Sequence, residues 1–182
     1  MGGKIPFTRH NLNSDTQALV DEYIRELDLP SEAFSKKGVS LIAPTGAGKT
    51  YFINNQQQGN RLWIDADPLM KRAKVLPEYN EWSEYNFETI AQMCDMVTVY
   101  VKQKHKLRIL GSTWWDAAMH DAMVIPDVGE LKARLSQKED KFDDSFFENN
   151  VLVAIKIMEK EAIKSNVPII YDSIENAVLR FA

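Results

Sequence analysis

The segment Ala43-Pro44-Thr45-Gly46-Ala47-Gly48-Lys49-Thr50 constrains this chain more than any other stretch, because it demands one local architecture. Gly46 and Gly48 let the backbone turn where a Cβ would obstruct it, so that successive amide N–H groups can converge on an anion. The apolar, β-rich run Gly38-Val39-Ser40-Leu41-Ile42 enters the segment, and Tyr51-Phe52-Ile53-Asn54-Asn55 can continue from it as a helix. Strand, glycine loop and helix in that order are the setting that a phosphate loop of the form G-x-x-x-x-G-K-[ST] requires. Ala43 stands where the first glycine of that form is usual. Thr45, Gly46, Ala47, Gly48, Lys49 and Thr50 are therefore expected to line a nucleoside triphosphate site. Lys49 would reach the β- and γ-phosphates, the Thr50 hydroxyl would ligate Mg²⁺, and the start of the helix would add its positive end. The bland alternative is a strand-to-helix turn that carries Gly-Lys-Thr by chance.

The rest of the chain repeats this strand-then-helix alternation. Ala18, Leu19, Tyr23, Ile24 and Leu27 recur at helical spacing behind the caps offered by Asn13, Ser14 and Asp15, and Pro30-Ser31 breaks that helix. Arg61 to Asp65 reads as a second strand ended by Asp67-Pro68, followed by a polar and aromatic region from Leu69 to Asn86. Ile90, Met93, Val97 and Val101 mark a helix over 87–104; Lys106 to Ser112 is a third strand, and Ala122 to Pro126 a fourth. Val128 to Leu135 suits a helix, Ser136 to Asp144 a charged loop, and Ser145 to Lys164 a long helix capped by Asp144. Val167 to Tyr171 is a fifth strand and Glu175 to Phe181 a closing helix. Five strands alternating with helices predict an α/β fold, a parallel sheet covered on both faces in three α/β/α layers. A chain of 182 residues suits one domain, here a helical extension (1–37) packed on a core (38–182).

Composition narrows the class. Apolar residues make up 45% and charged residues 26%, as in soluble globular proteins, and no apolar run approaches the length of a membrane span. Met1 to Pro6 lacks the continuous apolar stretch of a signal peptide, and Cys94 is the only cysteine. A disulfide framework and a cysteine-rich metal site are excluded, and a reducing, cytoplasmic setting is expected. The net charge of −4 argues against a surface that grips nucleic acid everywhere, while leaving room for a local basic groove.

In a parallel sheet of this kind, ligands bind beyond the carboxyl ends of the strands, so residues just after each strand should look chemical. Thr45 to Thr50 follow the first strand, Asp65 and Asp67 the second, Ser112 to Asp116 the third, and Asp172 and Ser173 the last. Asp65-Ala66-Asp67 would place two carboxylates on one side of an extended chain, both toward the loop. One can serve Mg²⁺ while the other accepts a proton from an attacking hydroxyl. Their bland reading is a solvated strand end that begins a turn.

With these residues in place, the chain resembles the small-molecule kinase branch of the phosphate-loop proteins: shikimate kinase, gluconate kinase and the nucleoside monophosphate kinases. The resemblance lies in the order of elements over about residues 39–181 and implies a P-loop NTPase fold with a lid. Shikimate kinase carries an Asp-x-Asp on the strand after its phosphate loop, which implies Asp65 for the metal and Asp67 for substrate and base. Glu130 to Leu135 is similar to the family's entry to the lid, where an arginine packs on the adenine side of ATP, and this implicates Arg134. The lid would run from Ser136 to Asp144. Lys141, in Lys141-Phe142-Asp143-Asp144, falls where monophosphate kinases carry an arginine that neutralises the transferring group.

Further candidates are weaker. The third strand finishes in Leu110-Gly111-Ser112-Thr113, whereas helicase or transporter ATPases usually place an acid there, and this favours a kinase over a motor. Gly111 and Ser112 would admit substrate, and Trp114 would offer a stacking face, against a plain reading of Trp114-Trp115 as core. Arg72 would meet an anionic substrate, against its reading as an exposed helix face. Tyr79, Trp82, Tyr85 and Phe87 fall where such kinases shape the acceptor pocket. His10, His105 and His120 lack metal spacing and read as surface or satisfied polar residues.

The sequence thus predicts an ATP- and Mg²⁺-dependent phosphotransferase in which Lys49, Asp67 and Arg134 are catalytic. Its acceptor is expected to be nucleotide-type: a free nucleotide, or a hydroxyl within DNA as in polynucleotide and hydroxymethyluracil DNA kinases. The alternatives are a small-metabolite kinase of the shikimate or gluconate kind, and a nucleotide-binding assembly module without transfer.

Overall fold

In a computed structural model the described residues are 12–56, 62–76, 84–138 and 143–181. Five strands form one sheet: β1 (Val39–Ile42), β2 (Trp63–Asp65), β3 (Arg108–Gly111), β4 (Ala122–Val124) and β5 (Ile169–Ile170). Every pairing is parallel, and the spatial order is β2-β3-β1-β4-β5. β1 is central, with Val39 opposite Arg108 on β3 and Leu41 opposite Ala122 on β4. All of its residues are buried, as expected for a strand covered on both faces.

Eight α-helices surround the sheet among the described residues: α1 (Ser14–Glu26), α2 (Lys49–Asn54), α3 (Ala66–Arg72), α4 (Glu84–Lys104), α5 (Val128–Lys138), α6 (Asp144–Phe146), α7 (Val153–Lys164) and α8 (Ile174–Leu179). A π-helical segment, Phe147–Leu152, joins α6 to α7. The core divides into two layers. In β2, Trp63 belongs to the cluster containing residues of α2, α5, α7 and α8, whereas Ile64 belongs to the cluster formed with α1, α3 and α4. In β3, Leu110 and Ile109 divide in the same way, and adjacent strand residues face opposite sides, so the layers lie on opposite faces of the sheet.

Local chemistry explains the boundaries. Asn13 caps α1 by accepting the Thr16 amide at 2.8 Å. α1 then buries Val20 and Ile24 against the layer shared with α3 and α4. The helix expected from 87 begins at Glu84 and tolerates Val97 and Val101 because both are fully buried, so packing outweighs the helix penalty of β-branching. Gly38 is dictated by this packing: a Cβ there would lie 2.3 Å from the Cα of Lys102 on α4.

Several expectations are corrected. Asp67-Pro68 does not close a strand with a turn; it lies in the first turn of α3, where proline costs no helical hydrogen bond. The long C-terminal helical stretch is capped by Asp143, which accepts the Phe146 amide at 2.6 Å, and not by Asp144, which pairs with Lys132 at 2.7 Å. α5 continues to Lys138, so the first residues assigned to a charged loop are helical. Asp172 and Ser173, read as residues beyond the last strand with a chemical role, build the start of α8: Asp172 accepts Ser173 N–H at 2.7 Å, and Ser173 caps Asn176.

Candidate functional site

The connection after β1 runs to the edge-ward strand β2, and the connection after β3 runs to β4 on the other side of β1. Neighbouring strands whose connections depart in opposite directions leave a crevice at their carboxyl ends. The glycine loop fills that position. Its first turn closes when the Ala47 amide donates to Pro44 C=O at 3.2 Å, with Gly46 at φ 85°, the left-handed third position of a type II turn. Gly48 repeats the left-handed conformation at φ 91° and caps α2. α2 is 6 residues long, so its dipole is small.

α5 lies against the loop and explains why both glycines are needed. A Cβ on Gly46 would come within 2.8 Å of Leu135 Cγ, and a Cβ on Gly48 within 3.0 Å of Arg134 Nη1. Arg134 Nη1 donates to Ala47 C=O at 2.9 Å. Its other nitrogen stands 3.8 Å from Glu130, one helical turn earlier. Lys49 is buried, with Nζ 3.5 Å from Pro44 C=O, so the ammonium folds back over the loop that carries it. Thr45 and Thr50 are exposed.

Asp65 and Asp67 reach the same edge by a different geometry from the one expected. Asp65 ends β2 and caps α3, accepting the Asp67 amide at 3.1 Å, and Asp67 stands in the first helical turn. The pair is therefore fixed by a helix start and not by the alternation of an extended strand. Burial pushes the Asp65 carboxyl above its usual range, and the neighbouring Asp67 charge adds to this; the hydrogen bond from Asp67 N–H and the charges of Lys49 and Lys71 oppose it. A partly buried carboxylate that resists ionisation beside a lysine is a group whose environment a divalent cation would improve.

Gly111 is used by the fold itself. A Cβ there would meet Ala66 Cβ at 3.2 Å, so the glycine lets α3 start close against the end of β3 and brings Asp65 and Asp67 inward. Ser112 is half-buried just beyond it. Trp114 is half-buried and packs against the core cluster, in keeping with the plain reading of it as core, while Trp115 is 42% exposed. Arg72 pairs with Glu26 at 2.6 Å and Glu22 at 3.7 Å on α1, so its guanidinium is engaged at the helix contact and not held in reserve for an anion. Lys141, Tyr79 and Trp82 lie outside the described residues.

Sequence reasoning missed Asp95 and its partners. Asp95 is fully buried on α4, and its Oδ2 accepts Trp115 N–H at 3.0 Å and Asp116 N–H at 2.7 Å. His120 donates from Nε2 to Asp95 Oδ1 at 2.8 Å, and its Nδ1 stands 3.1 Å from Ser40 Oγ on β1. His120 is thus a satisfied polar residue of the interior. The signal was present: Asp95 lies one turn from the buried Ala91 and Thr98 on α4, where a carboxylate needs partners. Beside it, burial and the charges of Asp95 and Asp67 push the Cys94 thiol up to about 12, which leaves it unreactive.

The donor set suits a magnesium–triphosphate pair. The cation is a lysine, and the oxygen ligands on offer are a hydroxyl (Thr50) and a carboxylate (Asp65), the hard donors Mg²⁺ prefers. No helix among the described residues is long and apolar enough to cross a membrane. No protein-family model matches the chain, and comparison with curated proteins gives no match.

Proposed function

We propose that this chain is an ATP- and Mg²⁺-dependent kinase of the phosphate-loop kind, transferring the γ-phosphoryl group to a hydroxyl or phosphate of a nucleotide-type acceptor, free or within DNA. The observation that carries the reading is convergence. At the carboxyl edge of one parallel sheet, Arg134 of α5 bonds the Gly46–Lys49 turn, and Lys49 is near enough for its charge to act on Asp65, which accepts the Asp67 amide. Binding alone needs the loop; transfer to an acceptor also needs a proton acceptor and a second cation, and both are of the right type here.

In this reading the loop amides and Lys49 hold the β- and γ-phosphates, and Thr50 and Asp65 hold the metal, which neutralises phosphate charge when bound. Asp67 orients the acceptor hydroxyl and takes its proton as the new O–P bond forms. The bond between the γ-phosphorus and the β–γ bridging oxygen breaks, and ADP leaves. Arg134 already lies on the loop, where its charge favours the anionic donor. The same reading takes a reducing, cytoplasmic place of work from the single cysteine, Cys94.

The test is transfer of labelled γ-phosphate to a panel of nucleosides, nucleotides, shikimate- and gluconate-like acids, and DNA with modified bases. Labelling of a nucleotide-type acceptor is expected. Asp67→Asn should lower kcat by about 100-fold or more while ATP binding persists. Labelling of a metabolite alone would reassign the acceptor, and ATP binding with no labelled acceptor would overturn the kinase reading in favour of a nucleotide-binding module.

A further inference from the structure

The link from β3 to β4 spans residues 112–121, a short path between parallel strands. Its second half is clamped. Asp95 accepts the Trp115 and Asp116 amides, His120 joins Asp95 to Ser40, and Asp121 Oδ2 accepts the Ser40 amide at 2.8 Å while pairing with Lys102 at 2.7 Å. Lys102 also donates to Met119 C=O at 3.1 Å. Ser112, Thr113 and Trp114 are therefore the residues between the end of β3 and the first anchored amide, and they leave the carboxyl edge at Gly111, which lies against Ala66 between Asp65 and Asp67. Asp95, His120 and Ser40 are 0%, 4% and 1% exposed, too enclosed to meet a substrate.

We propose that Asp95 is a positioning residue: through the Trp115 and Asp116 amides it sets the length and path of the Ser112–Trp114 turn, whose first two residues, Ser112 and Thr113, form the acceptor wall of the site. The acceptor half of this statement rests on the kinase reading above; the anchoring half does not. The carboxylate suits the task because it is acceptor-only and meets three donors at once, an arrangement that a neutral side chain reproduces in part. A carboxamide has one acceptor oxygen. If that oxygen keeps the two backbone amides, its NH₂ faces His120 Nε2 and drives the imidazole proton to Nδ1, where Ser40 Oγ can accept it.

The experiment compares the full chain with Asp95→Asn and Asp95→Ala. In the parent, ¹⁵N spectra of the imidazole should show a proton on His120 Nε2, and the Trp115 and Asp116 amides should exchange slowly. In Asp95→Asn the proton should move to Nδ1, and exchange of both amides should accelerate about tenfold as charge-assisted bonds become neutral ones. The acceptor KM should rise about threefold to tenfold, with the KM for ATP within about twofold of the parent, because the loop of β1 is untouched. Asp95→Ala should exaggerate both effects, and partial recovery in Asp95→Asn is the signature of positioning. If the alanine variant does not fold, the asparagine variant decides alone. Accelerated exchange with an unchanged acceptor KM overturns the proposal, as does unchanged exchange. A parent that labels no acceptor sinks the kinase reading and with it the acceptor half, while the tautomer and exchange data still decide the anchor.

Discussion

Asp65 and Asp21 sit at opposite edges of the same sheet and have been pushed in opposite directions. Asp65, at the carboxyl edge, is partly buried with one backbone hydrogen bond, and its carboxyl is raised above the ordinary value, burial being the main cause. Asp21, on α1 beside the end of α4, accepts from Tyr100 at 2.9 Å, Lys104 at 2.7 Å and His105 at 2.7 Å. Burial alone would raise Asp21, but the hydrogen bonds from Lys104, His105 and Tyr100 bring it below the usual carboxylate range. The amino edge is thus a saturated polar clasp that holds α1 to α4. The carboxyl edge keeps a glycine loop and a partly buried carboxylate with its carboxyl raised, a cost in stability.

The sharpest way to break this contrast is Lys49→Met, which keeps the stem and removes the charge. Phosphoryl transfer should fall by about 1000-fold, with little change in the urea midpoint, as expected for a cation that stabilises charge in the transition state. Gly38→Ala tests the opposite edge. With a Cβ 2.3 Å from Lys102 Cα, α4 must shift, and stability should fall by about 3 kcal/mol in urea titration. A Gly38→Ala protein of parental stability would contradict the described packing.

Asp21→Asn should cost about 1 kcal/mol at neutral pH, at the low end for charged hydrogen bonds because the carboxylate is partly solvated. The sign is set by linkage. A carboxyl lowered on folding contributes stability that is present above its ordinary value of 3.8 and is lost as pH falls through the folded value, so parent and variant should converge in acid. Asp65→Asn is the mirror image and the smallest effect on stability. Asparagine caps a helix as well as aspartate, and the ionised carboxylate is a burden in the fold, so the variant should be more stable by about 0.5 kcal/mol at neutral pH. That gain should appear only as pH rises from 3.8 through the raised folded value, and it should come with loss of Mg²⁺-dependent transfer. Thermal melts across pH, run beside transfer assays, check both aspartates together.

Much of this was legible in the chain. The glycine loop between an apolar run and a helical one, and the five apolar runs that became five parallel strands, are written in local pattern, because period and turn chemistry act over a few residues. The Asp65/Asp67 pair was legible as two neighbouring carboxylates at a strand end and misread as geometry. Whether Asp67 continues a strand or opens a helix depends on Asp65 accepting its amide and on Ala66 fitting against Gly111, a residue 45 positions later in sequence. Trp114 was equally ambiguous: an indole offers the same face to a ligand or to a core, and its packing against the core cluster is set by the tertiary structure.

The sequence by itself determined the element order and the position of a glycine-rich loop at a strand end. Strand order, the placing of Leu135 and Arg134 on Gly46 and Gly48, the engagement of Arg72 by α1, and the Asp95–His120–Ser40 chain were decided by tertiary structure alone. Each of these joins residues far apart in the chain. Propensity and periodicity carry no information about such contacts; they follow from which buried polar groups can satisfy one another once the layers have packed.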